Sequence, residues 1–215
     1  MDAPKKLYTF WTGDDVMSPN RLSSMRVLRE CPGIEVIFVD KNNLEEYLYE
    51  PLHPGYQYLS STHRSDYLRA YFLNWYGGIY ADIKEYAMDW SGLVDELNAG
   101  DKSFYGMATE SLLGEGYVGV HTGCYIAKPD SNLVAEWKRR LDEKMDSIYD
   151  ELVQHPGTYH PRATKGGSLD GECEACGYPL EWCDILGWII HPVVHEMKDE
   201  FLTGLPVHCS NWNYR

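Results

Sequence analysis

Basic residues are scarce in this sequence. Among 215 residues, 19 lysines and arginines stand against 33 aspartates and glutamates, which gives a formal net charge of -14 at pH 7. So few cations do not form the positive surface that nucleic acids and anionic membranes require. A small phosphate-bearing ligand is not excluded, because a few local cations, helix N-termini or a metal ion can bind it.

Long apolar runs are also absent. No stretch reaches the roughly 18 apolar residues of a membrane-spanning helix, and the first residues, MDAPKKLYTFW, lack the apolar centre of a secretory signal. These absences predict a soluble, cytoplasmic protein with no membrane span. In that compartment the six cysteines are expected to be reduced thiols rather than a disulfide framework.

The composition suits one globular domain, since 44% of the residues are hydrophobic and can form a sizeable core. Aromatic residues are abundant, with 17 tyrosines and 7 tryptophans. Core packing explains most of them, but aromatic faces are also a common way to hold sugar rings.

The segment 62–85, THRSDYLRAYFLNWYGGIYADIKE, begins as a predicted helix. Ser65 is its predicted N-cap. Asp66 then falls in the first turn, where the helix dipole favours a negative charge, and Arg69 lies within reach of Asp66. Apolar side chains recur every three or four residues on one face, at Tyr67, Leu68, Tyr71, Phe72 and Trp75.

A glycine pair and a strand complete this segment. Gly77 and Gly78 stop the helix, because glycine accepts the left-handed backbone of a helix C-terminus. The strand 79–81 follows and delivers Asp82 to a carboxyl end, which is the edge where open α/β sheets bind ligands.

The same segment resembles the sugar-binding region of GT-A glycosyltransferases with an Asp-x-Asp motif, in particular the capsular-polysaccharide and mannosyltransferase-like families. The matching residues are Ser65, Asp66, Arg69, Tyr76, Gly77, Gly78, Ile79, Tyr80 and Asp82. The second aspartate of the motif is Lys84 here, so the carboxylate pair around a divalent metal is incomplete. The resemblance implies an α/β GT-A fold, a Rossmann-like and mostly parallel sheet flanked by helices.

Two earlier strand ends offer further candidates for donor binding. Thr12 and Gly13 follow the predicted strand Lys6–Trp11, at the position where nucleotide-binding folds bind the base and the ribose. A plain turn explains these two residues equally well. Asp40 follows the predicted strand 34–39. In the resembling family it would lie near the base; alternatively, it caps the next short helix.

His63 and Arg64 stand just before the predicted start of the main helix. Backbone N–H groups and a guanidinium at that position could both meet a diphosphate. Either residue could instead be a solvated surface residue, and for His63 that interpretation is preferred.

The C-terminal half contains a second resemblance. The run 177–192, GYPLEWCDILGWIIHP, is similar to a segment of viral and bacterial members of the same transferase group, including the small glycosyltransferase domains of large DNA viruses. For a viral protein, the compartment would be the host cytoplasm. Trp182 could stack on an acceptor sugar and Asp184 could accept a hydrogen bond from the attacking hydroxyl. Both could equally be structural.

A zinc site is a competing interpretation of the region before this run. Cys173 and Cys176 have metal-ligand spacing and Cys183 follows, but a complete zinc finger needs a second close pair of ligands. Free thiols on a mobile segment are therefore preferred. A zinc-stabilised interaction module, or a catalytically inactive carbohydrate-binding module, remains the alternative to an enzyme.

The resemblance implies glycosyl transfer of a hexose or deoxyhexose from a nucleotide sugar, most commonly a UDP-sugar, to a glycan hydroxyl, with retention. The expected catalytic residues are Asp82, Lys84 and Asp184, and the donor-binding residues are Thr12, Gly13, Asp40, Arg64, Asp66, Arg69 and Asp82. In the resembling GT-A enzymes a late histidine often completes the metal site, so Asp82 and His208 would bind Mn²⁺ or Mg²⁺, with Lys84 taking over part of the metal's role. Residues 1–90 would hold the donor and 91–215 the acceptor, within a domain cut from a longer polypeptide.

Overall fold

The computed structural model describes residues 1–157 and 177–210, without the side chains of the last two. Its central sheet has six strands: β1 Lys6–Trp11, β2 Glu35–Asp40, β3 Gly78–Ala81, β5 Phe104–Gly106, β8 Cys124–Ala127 and β9 Phe201–Thr203. Two small two-stranded sheets pair β4 Glu85–Tyr86 with β10 Cys209–Ser210, and β6 Ala108–Glu110 with β7 Val118–Val120. The mixed α/β architecture expected from the sequence is confirmed.

The strand order of the main sheet is β2-β1-β3-β8-β5-β9. Five of the strands run in one direction, and only β8 is antiparallel to its neighbours. The mostly parallel sheet predicted from the resemblance is therefore confirmed. The first three strands of the order come from the first 81 residues and the other three from residues 104–203, so the two halves of the chain meet between β3 and β8.

Helices cover both faces of the sheet. They are α1 Pro19–Arg29, α2 Ser61–Trp75, α3 Trp90–Ala99, α4 Asn132–Ser147, α5 Tyr149–Gln154 and α6 Gly187–Glu196, with two short 3-10 helices at Leu44–Tyr47 and Pro54–Tyr58. Residues of α1 and α3 pack in one apolar cluster, and residues of α2, α4, α5 and α6 pack in the other. None of the helices in the described ranges is long and apolar enough to cross a membrane.

The main helix begins earlier than the sequence analysis predicts. The N-cap of α2 is Ser60, whose hydroxyl accepts the N–H of His63, so Ser65 is not the cap. Asp66 consequently lies in the second turn and is buried, so a side chain rather than the helix terminus must balance its charge. The C-terminus agrees with the prediction, because Gly77 and Gly78 take positive φ angles of 61° and 85°.

Two histidines of α6 hold the β6–β7 hairpin. His191 Nδ1 accepts the N–H of Leu112 at 3.0 Å, and its Nε2 lies 3.1 Å from the carbonyl oxygen of Val120. One turn later, His195 Nδ1 accepts the N–H of Val118 at 3.3 Å. Both Nδ1 atoms act as acceptors, so these contacts require neutral rings.

We expect the stability of this hairpin to fall in acid because of His191. Burial lowers the pKa of His191, although its hydrogen bond with Val120 partly opposes that shift. The unfolded chain therefore binds the proton more readily, and the free energy of unfolding decreases as pH falls below about 6.5. Replacing His191 with asparagine should cost about 1 to 2 kcal/mol at pH 7.5, because the Val120 carbonyl loses its donor.

The measurement is urea unfolding of both proteins between pH 7.5 and 5.5. The stability difference between wild type and His191→Asn should shrink as the pH is lowered, since only the wild type carries this titrating ring. A difference that stays constant over the range would contradict the assignment of the acid sensitivity to His191.

Candidate functional site

The carboxyl ends of β1 and β3 meet at the centre of the sheet. β1 pairs with β2 on one side and with β3 on the other, so the strand order reverses there. Such a reversal opens a crevice in α/β sheets, where ligands bind. The loop after β1 and the residues after β3, beginning with Asp82, border this crevice.

Arg69 is buried at the centre of the site. Its Nη2 atom lies 2.6 Å from Asp66 Oδ1 and 3.8 Å from Asp82 Oδ1. The guanidinium also donates from Nη1 to the carbonyl oxygen of Thr122, and it lies over the ring of Tyr80, 4.4 Å from the ring centre. One cation thus connects α2, the end of β3 and the loop before β8.

Asp82 has partners on both carboxylate oxygens. Tyr80 donates its hydroxyl hydrogen to Oδ1 at 2.6 Å, and Lys84 Nζ lies 3.0 Å from Oδ2. The backbone N–H of Asp82 donates to the carbonyl oxygen of Gly123 at 2.8 Å. The carboxylate is therefore fixed in position, and Lys84 lies beside it rather than pointing away.

Burial and neighbouring charges shift the two carboxylates in opposite directions. Burial raises the pKa of Asp66 to about 7, against the opposing effect of Arg69, and the charge of Asp82 adds to the rise. Burial also acts to raise the pKa of Asp82, but Arg69 and Lys84 outweigh it and lower that pKa. Asp82 therefore keeps its charge more readily than Asp66, and Asp66 is the carboxylate that can take up a proton near neutral pH.

The loop after β1 packs tightly against the start of α2. A Cβ atom on Gly13 would lie 2.4 Å from Ser61 Oγ and 2.9 Å from Ser61 Cβ, so a larger residue here would have to displace the Ser61 side chain. Thr12 is buried and accepts a hydrogen bond from the hydroxyl of Tyr56 at 3.3 Å. Arg64 donates to the carbonyl oxygens of Thr12, at 3.5 Å, and of Gln57, at 2.7 Å. Arg64 thereby joins the loop after β1 to the segment before α2.

Asp40 lies at the same sheet edge, opposite Trp11 in the β1–β2 register. Its Oδ1 atom accepts the N–H of Asn42 at 2.7 Å, and its own N–H donates to Asn43 Oδ1. The N-cap of the next short helix, Leu44–Tyr47, is Asn43, so the alternative that Asp40 caps this helix is wrong, and Asp40 instead stabilises the turn before it. A role in donor binding stays a prediction.

His63 is buried, so the preference for a solvated surface residue is wrong. Its Nδ1 atom lies 2.8 Å from the hydroxyl of Tyr178, and its Nε2 atom lies 3.0 Å from the carbonyl oxygen of Glu181. The ring therefore joins the start of α2 to the segment 177–184. Sequence periodicity missed this role because the partners are more than 110 residues away.

The candidate acceptor residues lie on that segment. Trp182 is 42% exposed, as a stacking platform requires. Asp184 Oδ2 accepts the N–H of Glu181 at 3.0 Å and so stabilises a turn. Burial raises the pKa of the Cys183 thiol, and the charges of Asp66 and Asp184 add to the rise. The contact of His63 with the carbonyl oxygen of Glu181 places this turn beside the start of α2.

The role of Asp82 and His208 as metal ligands stays a prediction. His208 has an exposed side chain, and its carbonyl oxygen accepts the N–H of Ala87. Across residues 1–157 and 177–210, no three His, Cys, Asp or Glu side chains come together in a way that could hold a metal ion. The zinc candidates Cys173 and Cys176 lie outside the described residues, and Cys183 is a free thiol.

His121 belongs to the site although the sequence analysis assigned it no role. A Cβ atom on Gly123 would lie 2.7 Å from His121 Cε1 and 3.4 Å from Asp82 Oδ2, so both groups border one small space. Burial lowers the pKa of His121, and the charges of Lys84 and Arg69 lower it further. The antiparallel run of β8 creates this proximity, which sequence spacing did not reveal.

The sequence model of the family described as "Capsular polysaccharide synthesis protein" matches residues 5–141, which is more than half of the chain. The chain belongs to this family. The matched range includes Thr12, Gly13, Arg64, Asp66, Arg69, Asp82, Lys84 and His121, whereas Trp182, Asp184 and His208 lie beyond it. The resemblance to capsular-polysaccharide families seen in the sequence is thereby confirmed, and the likeness to viral members stays a prediction.

Other comparisons add little to this membership in the capsular polysaccharide synthesis family. No curated protein matches the chain. Among solved structures, the chain is similar to the "PaToxG Glycosyltransferase", with 11% sequence identity and a TM-score of 0.48, over 75% of this chain and 67% of that chain. This likeness is distant, so the family assignment rests on the matched sequence range.

Proposed function

We propose that this member of the capsular polysaccharide synthesis family is a glycosyltransferase that takes a sugar from a nucleotide sugar, most simply a UDP-sugar, and transfers it to a glycan hydroxyl. The observation that carries the proposal is the charged cluster of Asp66, Arg69, Asp82 and Lys84 at the reversal point of the sheet. The motif in which these residues stand is the one that resembles sugar-nucleotide enzymes.

The electrostatics of the cluster fit the reaction. Breaking the bond between a sugar and a diphosphate leaves negative charge on the departing nucleotide, and fixed cations nearby stabilise that charge. Lys84 and Arg69 supply two cations in a chain that is otherwise strongly acidic. The two cations balance Asp66 and Asp82, so an anionic donor would meet less repulsion at this cluster than over the rest of a chain whose net charge is -14.

The residues present do not fit a divalent metal well. Both oxygens of Asp82 already have partners in Tyr80 and Lys84, and a cation at the position of Lys84 repels a second one. Metal centres need several oxygen or nitrogen ligands, and the part of the chain that is described brings no such group together. We therefore propose that Lys84 stabilises the leaving diphosphate itself, and that Mn²⁺ or Mg²⁺ is at most an auxiliary.

The acceptor would bind beside the segment 177–184. Trp182 offers an exposed ring face for a sugar, and Asp184 lies two residues further on. Because Asp184 already accepts a backbone N–H, we assign it to holding this turn and propose retention, in which the leaving phosphate assists deprotonation of the acceptor.

The first test is calorimetric titration with UDP, GDP and their common sugar conjugates, each with and without Mn²⁺. We expect one nucleotide to bind to the wild type without metal and to lose at least tenfold in affinity in Asp82→Asn, because the carboxylate that fixes the position of the Lys84 ammonium is lost. Asp95→Asn is the matched control, because Asp95 pairs with Lys5 at 2.8 Å, at the opposite edge of the sheet.

The outcomes separate the competing functions. Binding lost in Asp82→Asn but kept in Asp95→Asn would support the donor site. Failure of every nucleotide to bind, with or without Mn²⁺, would contradict the transferase proposal and favour a non-catalytic module. Tight, stoichiometric zinc in the purified protein would favour the zinc-stabilised alternative.

A further inference from the structure

His121 occupies a fixed position at the entrance to β8. Its backbone N–H donates to the carbonyl oxygen of Met107 at 2.8 Å. The next two residues provide the carbonyl oxygens that bind Arg69 and the N–H of Asp82. The position of this histidine is therefore determined by the same loop that completes the charged cluster.

A hydrogen bond within the loop defines the tautomer of His121. The N–H of Gly123 donates to His121 Nδ1 at 3.2 Å. An amide N–H can only donate, so Nδ1 carries no hydrogen and the neutral ring holds its hydrogen on Nε2. In the described ranges Nε2 has no hydrogen-bond partner, and the side chain is half-buried.

The surroundings keep this ring neutral and place it beside the ligand space. Burial disfavours the imidazolium form, and Lys84 and Arg69 disfavour it further, whereas Asp82 acts in the opposite direction. The bare α-carbon of Gly123 separates the edge of the ring from Asp82 Oδ2. A ligand that contacts Lys84 at this edge would therefore also come close to His121.

We propose that His121 is a donor-binding residue that gives its Nε2 hydrogen to an oxygen of the nucleotide diphosphate. The inference rests on the proposed function, because it supplies a neutral hydrogen bond to the same leaving group that Lys84 stabilises by charge. His121 is not assigned the role of a base, since its unprotonated nitrogen is already the acceptor for Gly123.

Two substitutions distinguish this role from a structural one. In His121→Asn, the side-chain oxygen can still accept the N–H of Gly123, but nothing replaces Nε2. In His121→Gln, the longer amide can place an N–H near the position of Nε2. A hydrogen bond to a charged group contributes about 1.5 to 3 kcal/mol, which corresponds to about tenfold or more in affinity.

The experiment measures UDP and UMP binding to the wild type and to both variants, with GDP and GMP used instead if the wild type prefers guanine. We expect His121→Asn to lose about tenfold in affinity for the diphosphate and less for the monophosphate, while His121→Gln stays within about threefold of the wild type. Thermal unfolding of each variant reports whether it is folded.

Each result has a separate meaning. Equal affinity of wild type and His121→Asn for the diphosphate would overturn the role of His121 and leave the proposed function standing, as would equal losses in both variants. Absence of nucleotide binding by the wild type would overturn both. Independently of any ligand, ¹⁵N NMR of the wild type should show the Nε2–H tautomer, and an Nδ1–H ring would overturn the inference.

Discussion

Replacing Arg69 with methionine is expected to lower the free energy of unfolding by about 3 to 5 kcal/mol, because it removes one partner of a buried ion pair. The side chains of Arg69 and Asp66 are only 7% and 3% exposed. Methionine fills part of the volume but leaves Asp66 without a counter-charge, and it also leaves the carbonyl oxygen of Thr122 without its donor. Urea unfolding of the purified variant at pH 8 measures the loss.

The double variant Asp66→Asn, Arg69→Met is the control for this loss. It removes both charges, so it should be more stable than Arg69→Met alone at pH 8.

The pH dependence of stability provides a second check. Without Arg69, the pKa of Asp66 rises further, so the folded protein binds a proton more readily than the unfolded chain does. Arg69→Met should therefore gain stability relative to wild type as the pH is lowered from 8 to 6.

A double variant no more stable than the single one would show that the ion pair isn't the source of the loss. In that case the remaining contacts of the guanidinium, with Tyr80 and with the loop before β8, would account for it.

Replacing Lys84 with methionine is expected to reduce turnover by about 100-fold, because in the proposed reaction the developing charge on the leaving diphosphate would lose its fixed cation. The effect should appear mainly in kcat, since a charge that grows in the transition state depends on Lys84 more than the ground state does. The measurement is nucleotide release from the donor that binds in calorimetry. Lys5→Met is the matched control, because Lys5 also pairs with an aspartate, 2.8 Å away and at the other end of β1.

Lys84→Asp tests whether Lys84 replaces a metal ion. It restores the second carboxylate of the Asp-x-Asp motif, so activity lost in Lys84→Met should return in Lys84→Asp only when Mn²⁺ or Mg²⁺ is added. Wild-type turnover that already requires Mn²⁺ and changes little in Lys84→Met would contradict the role of Lys84 as the replacement for the metal.

Much of the fold could be predicted from local patterns. The strand Lys6–Trp11, the end of the main helix at Gly77 and Gly78, and the strand that ends before Asp82 follow from local patterns and from glycine positions. The predicted start of α2 was wrong because the four residues 60–63 contain three hydroxyl side chains, each of which can cap a helix. The choice of Ser60 depends on contacts with Tyr178, far along the chain.

The site was only partly predictable for a similar reason. Asp66, Arg69 and Asp82 are close in sequence and part of one motif, so their proximity followed from a helix, a turn and a strand. His121 joins them because β8 runs antiparallel to β3 and pairs Cys124 with Ala81. No local pattern encodes that pairing. The donor and acceptor roles of the two halves of the chain also stay predictions.

The reversed strand β8 has a consequence for how such a protein can diverge. In an all-parallel sheet, every loop at this edge follows the end of a strand. Because β8 is antiparallel, the loop that precedes it also lies at this edge, where it provides carbonyl oxygens to Arg69 and to the N–H of Asp82. The two halves of the chain thereby share one charged cluster across the middle of the sheet. Recombination between related genes at the boundary of the halves would combine the charged cluster of one protein with the loop before β8 of another. We therefore expect the two halves to be kept together as such proteins diverge.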